Sequence, residues 1–146
     1  MDIETRCRHE VVELHRFFQD WFAGRLPDTD DAFAPLVSAL APSFEMVTPD
    51  GATRTRDQVL GGVRGGHPGG DGASSADATR FEIRNHRHRH SFGEVAVVTY
   101  EEWQTRGGSS QGRVATAVFQ AAEAAPNGVI WLHLHETMLP SADVSA

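Results

Sequence analysis

The chain has 146 residues, enough for one domain that buries roughly two-thirds of its unfolded surface without disulfides, and its lone cysteine, Cys7, has no internal partner. It carries 13 Lys and Arg against 20 Asp and Glu, a net charge of −7, which argues against nucleic acid as a main partner. No apolar run reaches the ~20 residues of a membrane helix, and Met1 to Arg6 open with acid rather than a basic, apolar leader, so the expectation is a cytoplasmic protein with no membrane or nucleic-acid partner.

Residues 2–24 read as an amphipathic helix. Cys7, Val11, Leu14, Phe18, Trp21 and Phe22 recur at spacings of three and four, Asp2 is a suitable N-cap, and Gly24 with Pro27 marks the stop. Trp21 either packs in the core or reaches a ligand. Residues 31–41 form a second helix on a stripe of Phe33, Leu36, Val37 and Leu40, capped by Asp31 and ended by Pro42. A short strand, Phe44–Thr48, leads into Thr48-Pro49-Asp50-Gly51, the composition of a type I turn, and a return strand near Ala52–Arg54. Thr55 and Gln58 have the spacing of a capping box, opening a short helix with Val59, Leu60 and Val63. That helix gives way to glycine. Gly65 to Asp77 lacks the lysine and the flanking strand of a phosphate loop and reads as a surface loop, either a connector or a lid.

From Ala78 the pattern has period two. Strands are expected near 79–90, 95–105, 113–124 and 129–139, joined by short turns into an antiparallel meander, the last through Asn127-Gly128. Helices come first and strands last, which is an α+β order. The final strand, at the centre of the sheet, puts Leu132, Leu134, Glu136 and Met138 on one face and Trp131, His133, His135 and Thr137 on the other.

These elements resemble the nuclear transport factor 2-like superfamily, the cone-shaped, cystatin-like α+β fold, and within it the SnoaL-like group. The residues that carry this are Thr48-Pro49-Asp50-Gly51, Val95 to Tyr100, and Asn127-Gly128 through Trp131-Leu132-His133-Leu134-His135-Glu136-Thr137. The resemblance spans about residues 8–139 of a single domain, 1–146. The last stretch is also similar to the association (hub) domain of calcium/calmodulin-dependent protein kinase II. That likeness implies that Glu136, which follows the second histidine, faces the pocket, and that Glu102 takes a second pocket position. The hub has arginines at both places, so its ligand preference does not carry over.

If Asn127-Gly128 is a two-residue turn, Phe119 faces Glu136 and Ala117 faces Met138; if Arg106 pairs with Gln111, Tyr100 faces Ala117 and Glu102 faces Ala115. The expected pocket is lined by Trp21, Phe44, Tyr100, Glu102, Phe119, Leu134, Glu136 and Met138, with small alanines leaving room. Burial and like charge would raise the two carboxylates, which could hold a cation or act as base and acid, with Tyr100 donating to a carbonyl. Alternatively each glutamate is paired with an arginine such as Arg113 or Arg84. Asp50 is the one aspartate expected near the cavity mouth.

His86, His88 and His90 share one face of their strand but span about 13 Å at ~3.3 Å per residue, too far for one ion. Neither a metal nor another cofactor is expected. Trp103, Trp131, His133 and His135 are assigned to the outer sheet face, as the contact of a homodimer. Three functions remain open: a small-molecule-binding module, a SnoaL- or ketosteroid-isomerase-like enzyme with a glutamate base, and a structural oligomerisation domain with a filled cavity.

Overall fold

The computed structural model describes residues 1–69 and 79–140. Helix α1 (Ile3–Phe22) starts as the cap residue requires: the Thr5 N–H donates to Asp2 Oδ1 at 2.8 Å. Its buried face carries Cys7, Val11, Leu14, Phe17 and Trp21, together with two polar residues, Glu10 and His15. Helix α2 (Asp30–Ala39) is capped by Thr29 rather than Asp31 and ends before Pro42. The chain then passes directly into strand β1 (Leu40–Val47), longer than the stretch expected from Phe44. The Arg56 guanidinium donates to the Val37 and Leu40 carbonyls at 2.9 and 3.2 Å, serving acceptors at the helix end that would otherwise be open. After the turn at Thr48–Gly51, where Gly51 has φ +88°, the short strand β2 (Thr53–Thr55) leads to α3 (Arg56–Gly65) through the expected capping box. Beyond α3, the His67 ring meets Trp21 edge-on at 4.7 Å, and His67 Nε2 lies 2.7 Å from the Leu26 carbonyl. The loop expected over 65–77 lies outside the described residues from residue 70 on.

The four long strands are β3 (Arg80–Phe92), β4 (Val95–Arg106), β5 (Ser109–Ala121) and β6 (Val129–Met138). The curved sheet has the order β2-β1-β6-β5-β4-β3, with β1 parallel to β6 and every other pair antiparallel. Strand β6 is central, held by β1 on one side and β5 on the other. The core lies between the helices and the inner sheet face, where Ala96, Val98, Tyr100, Ala115, Ala117 and Phe119 are buried.

The register differs from that drawn from the turns. Gly107 and Gly108, at φ +57° and +83°, make the two-residue turn themselves, so Arg106 pairs with Ser109. Tyr100 then faces Ala115, and Glu102 faces Arg113. Asn127 does not adopt the positive φ that a two-residue turn would require of it. The loop instead runs over 122–128, Ala121 pairs with Val129, and Ala115 and Ala117 face Glu136 and Leu134. The slips at Tyr100, Glu102, Ala115 and Ala117 are each an even number of residues, so these side chains keep their faces.

Two irregularities do change faces. Val118 pairs with His133 but Phe119 pairs with Trp131, so Leu132 is an extra residue in a bulge. Trp131 consequently turns inward, 1% exposed, with its ring 4.4 Å from that of Phe119, and is not on the outer face as expected. Leu132 is not part of the apolar core. In β3, bulges follow Arg84 and His88. The second sets His88 opposite buried Val98 and His90 opposite Val97, so the three histidines do not share a face.

Candidate functional site

Alternation on β4, β5 and β6 brings Tyr100, Glu102, Arg113 and Glu136 to the inner face on neighbouring strands, and Ala115 and Ala117 leave the space above them unfilled. A cavity of about 560 Å³ opens there beneath the helices. Its apolar wall comes from Leu14, Phe18 and Phe22 of α1, Leu36 of α2, Val59 and Val63 of α3, and Phe44, Met46, Phe81, Trp131 and Leu134 of the sheet. Its polar wall is His15, Tyr100, Glu102, Gln104, Arg113 and Glu136, with Arg106 exposed to solvent.

The polar groups form one network. His15 Nε2 is 2.7 Å from Glu102 Oε1, and His15 Nδ1 is 2.7 Å from the Val11 carbonyl. A carbonyl only accepts, so Nδ1 carries a proton; a second proton must lie between Nε2 and the carboxylate. The raised His15 and the lowered Glu102 favour that proton on the ring, as imidazolium beside carboxylate. The Gln104 amide donates to Glu102 Oε2. Arg113 bridges the two acids, with Nε 3.6 Å from Glu102 Oε2 and Nη1 3.2 Å from Glu136 Oε1.

The two glutamates, each 5% exposed, are driven apart in acidity. Burial works to raise Glu102, but the hydrogen bonds from His15 and Gln104 and the charges of His15 and Arg113 hold it below the usual carboxylate value. Burial and the charge of Glu102 push Glu136 up, against Arg113. Burial would lower His15, but Glu102 raises it. Burial, Glu102 and Glu136 together keep Tyr100 protonated well above the ordinary phenol range. The Tyr100 hydroxyl is buried and has no hydrogen-bond partner among the described residues.

A third buried acid, Glu10, lies apart from the cavity wall. Glu10 accepts from Trp131 Nε1 at 2.7 Å and Asn127 Nδ2 at 3.1 Å, and burial lifts its pKa to about 7. Burial pushes the nearby Cys7 thiol up to about 12, which leaves it inert as a nucleophile.

Residues 7–140 match the family model described as sucrose-6-phosphate phosphohydrolase C-terminal. The chain belongs to that family. A curated relative, sucrose-phosphatase 1 of Nicotiana tabacum, is 22% identical over 138 residues; this is 94% of the present chain and 32% of the tobacco protein, so the chain spans about a third of that relative. Among solved structures, a nuclear transport factor 2-like protein of unknown function from Pseudomonas aeruginosa is 25% identical, covers 92% of this chain and 99% of its own, and superposes with a TM-score of 0.75. The S. rosetta calcium/calmodulin-dependent protein kinase II hub superposes at 0.67 with 14% identity, covering 95% of this chain and 98% of its own. The fold is the nuclear transport factor 2-like one, and the sucrose-6-phosphate phosphohydrolase C-terminal family takes this form here.

Within this family domain, Phe44, Tyr100, Glu102, Leu134 and Glu136 stand together on the cavity wall. Three residues expected there do not. Trp21 belongs to the helix layer, stacked on Phe17 at 5.8 Å and donating to the Val63 carbonyl at 2.8 Å. Phe119 is fully buried behind Trp131, which takes the place at the wall because of the bulge. Met138 pairs opposite Arg113 at the end of β6 but is 39% exposed and does not line the cavity. Asp50 stays in its turn, accepting from the Thr48 hydroxyl. On the outer face, Trp103 lies under Arg84 at 4.6 Å and donates to Glu101 Oε1 at 2.9 Å, His133 is half-buried, and His135 is exposed.

His15, Gln104 and Glu10 went unrecognised in the sequence, and Arg113 appeared there only as an alternative partner. A signal for His15 existed: it lies four residues after Val11 and three before Phe18, on the apolar stripe. Glu10 has the same signature, three residues after Cys7.

Proposed function

We propose that the chain is a binding module that encloses a small, partly apolar molecule in its cavity. The observation that carries this reading is an open volume of about 560 Å³, mostly apolar, ending on a buried and internally paired polar cluster. A purely structural domain would fill this space. Trp21 and Phe119, two of the side chains able to do so, pack elsewhere.

The pairing also weighs against a glutamate-base enzyme. Glu102, held by His15 and Gln104, is stabilised as the anion and is a poor proton acceptor, while the carboxylate of Glu136, though raised by burial, is engaged by Arg113. The name of the tobacco relative points to a sugar phosphate. Arg113 is committed to two carboxylates and the remaining wall is largely apolar, which does not suit that ligand. In the assembly we favour, a second copy packs on the outer sheet face around Trp103 and His133, and the cavity stays on the inner face.

Thermal-shift and calorimetric titration with a panel of amphipathic small molecules plus sucrose 6-phosphate tests the reading. Amphipathic members should bind wild type and lose binding in Leu134→Trp, which fills the cavity. Equal binding by the filled variant, or binding by sucrose 6-phosphate alone, would sink it.

A further inference from the structure

The Tyr100 side chain is 1% exposed, lines the cavity, and leaves its hydroxyl without an acceptor among the described residues. Most buried hydroxyls are hydrogen-bonded, because an unmade bond in a low-dielectric site is costly. Its neighbours do not supply the acceptor. His15 meets the ring edge-on at 5.6 Å, with both imidazole nitrogens engaged by Val11 and Glu102; Trp131 also meets it edge-on, at 6.4 Å; His86 stacks on it at 6.5 Å. The phenol stays protonated in this setting, so it offers a donor to whatever occupies the cavity.

The charges beside it are already balanced. Imidazolium His15 faces carboxylate Glu102, and Arg113 lies between Glu102 and Glu136. With both acids ionised the cluster holds two positive and two negative groups. An anion entering here would find its cation shared between two carboxylates, and a cation would find both carboxylates taken. Each charged ligand would lose its hydration with no free counter-ion in return. Arg106 stands among the solvent-exposed residues, where its charge is screened.

We infer that the cavity selects an uncharged ligand with an apolar body and a carbonyl oxygen that accepts the hydrogen bond of the Tyr100 hydroxyl. This rests on the reading of the cavity as a binding site and names the chemical class it takes. A carbonyl fits because it brings an acceptor without a donor to a hydroxyl that has no partner among the described residues. The apolar body lies against Phe18, Phe22, Phe44, Val63 and Leu134.

A matched naphthalene series tests the inference by calorimetry at pH 7.5: 2-acetylnaphthalene, 2-naphthoate, 2-naphthylmethylammonium and 2-ethylnaphthalene. The ketone should bind at least tenfold more tightly than either ion and about tenfold more tightly than the hydrocarbon. Tyr100→Phe should abolish the ketone's advantage over the hydrocarbon and leave hydrocarbon affinity within about twofold. Tightest binding by naphthoate or by the ammonium would overturn the inference and leave the binding reading standing. A ketone preference that survives in Tyr100→Phe would overturn it in the same way. Failure of all four to bind would remove the binding reading and this inference together.

Discussion

His15 Nε2 lies 2.7 Å from Glu102 Oε1, and both side chains are buried. The pair ties the middle of α1 to the inner face of β4. Its contribution to stability has a defined pH window. His15 is raised from an ordinary value of 6.5, so its stabilisation is complete below 6.5 and is lost as pH climbs through the raised value. Glu102 is lowered from 4.5, so its stabilisation is complete above 4.5 and is lost as pH falls through the lowered value. The pair should therefore contribute most between about 4.5 and 6.5. Replacing His15 with Leu leaves a buried carboxylate short of a partner and should cost about 3 kcal/mol. Urea titrations at pH 5.5 and pH 9.5 check this: the gap between wild type and variant should be smaller at the higher pH, and an unchanged gap would contradict it.

Removing the cation between the two acids should show the reverse dependence. Arg113→Met leaves Glu102 and Glu136 near each other without a shared counter-ion, at a cost on the order of 3 kcal/mol near pH 8. Acidification should recover most of the loss, because Glu136, already raised by burial and by Glu102, takes up a proton. The double variant Arg113→Met, Glu136→Gln should be more stable at pH 8 than Arg113→Met alone. Additive losses in that double-mutant cycle would mean that Arg113 does not couple the acids.

Glu10 gives a third, separable pH effect. Its pKa rises on folding from 4.5 to about 7, so the folded chain binds more protons in that interval and loses stability as pH rises through it. Above pH 7 the accumulated penalty is about 3 kcal/mol. Glu10→Gln keeps an acceptor for Trp131, and the Asn127 amide can rotate to receive the new N–H. The variant should exceed wild type in stability at pH 8.5 and match it near pH 4.5. A difference independent of pH would show that Glu10 does not titrate in this range.

Tyr100→Phe removes an unpartnered hydroxyl and should stabilise the ligand-free protein by about 1 kcal/mol, visible as a higher midpoint in thermal denaturation. A loss of similar size would reveal an acceptor for the phenol.

Much of this architecture is written locally in the sequence. The stripe on α1, the Thr55–Gln58 box and the period-two runs each arise from short-range chemistry. The faces of Tyr100, Glu102, Leu134 and Glu136 were legible although their cross-strand partners were not, since even slips preserve the side of the sheet. The rest depends on contacts distant in sequence. The Asn127 amide bonds Glu10 rather than forming a tight turn, and no glycine or proline marks the bulge at Leu132. His15 looked like one more helix residue because Glu102, which gives it a purpose, stands 87 positions away.

The extra residue in β6 has a consequence for lineage. Residues 133–138 keep step with the first half of β5 and residues 129–131 with its second half, so one strand carries two phases. Deleting Leu132 would restore a single phase and leave Trp131 opposite Phe119, still inside the cone and beside Glu10. A descendant could therefore lose this residue and keep its aromatic wall. A one-residue gap at this place in a comparison of sequences would thus leave the lining of the cavity as it is, whereas a substitution of Trp131 itself would change it.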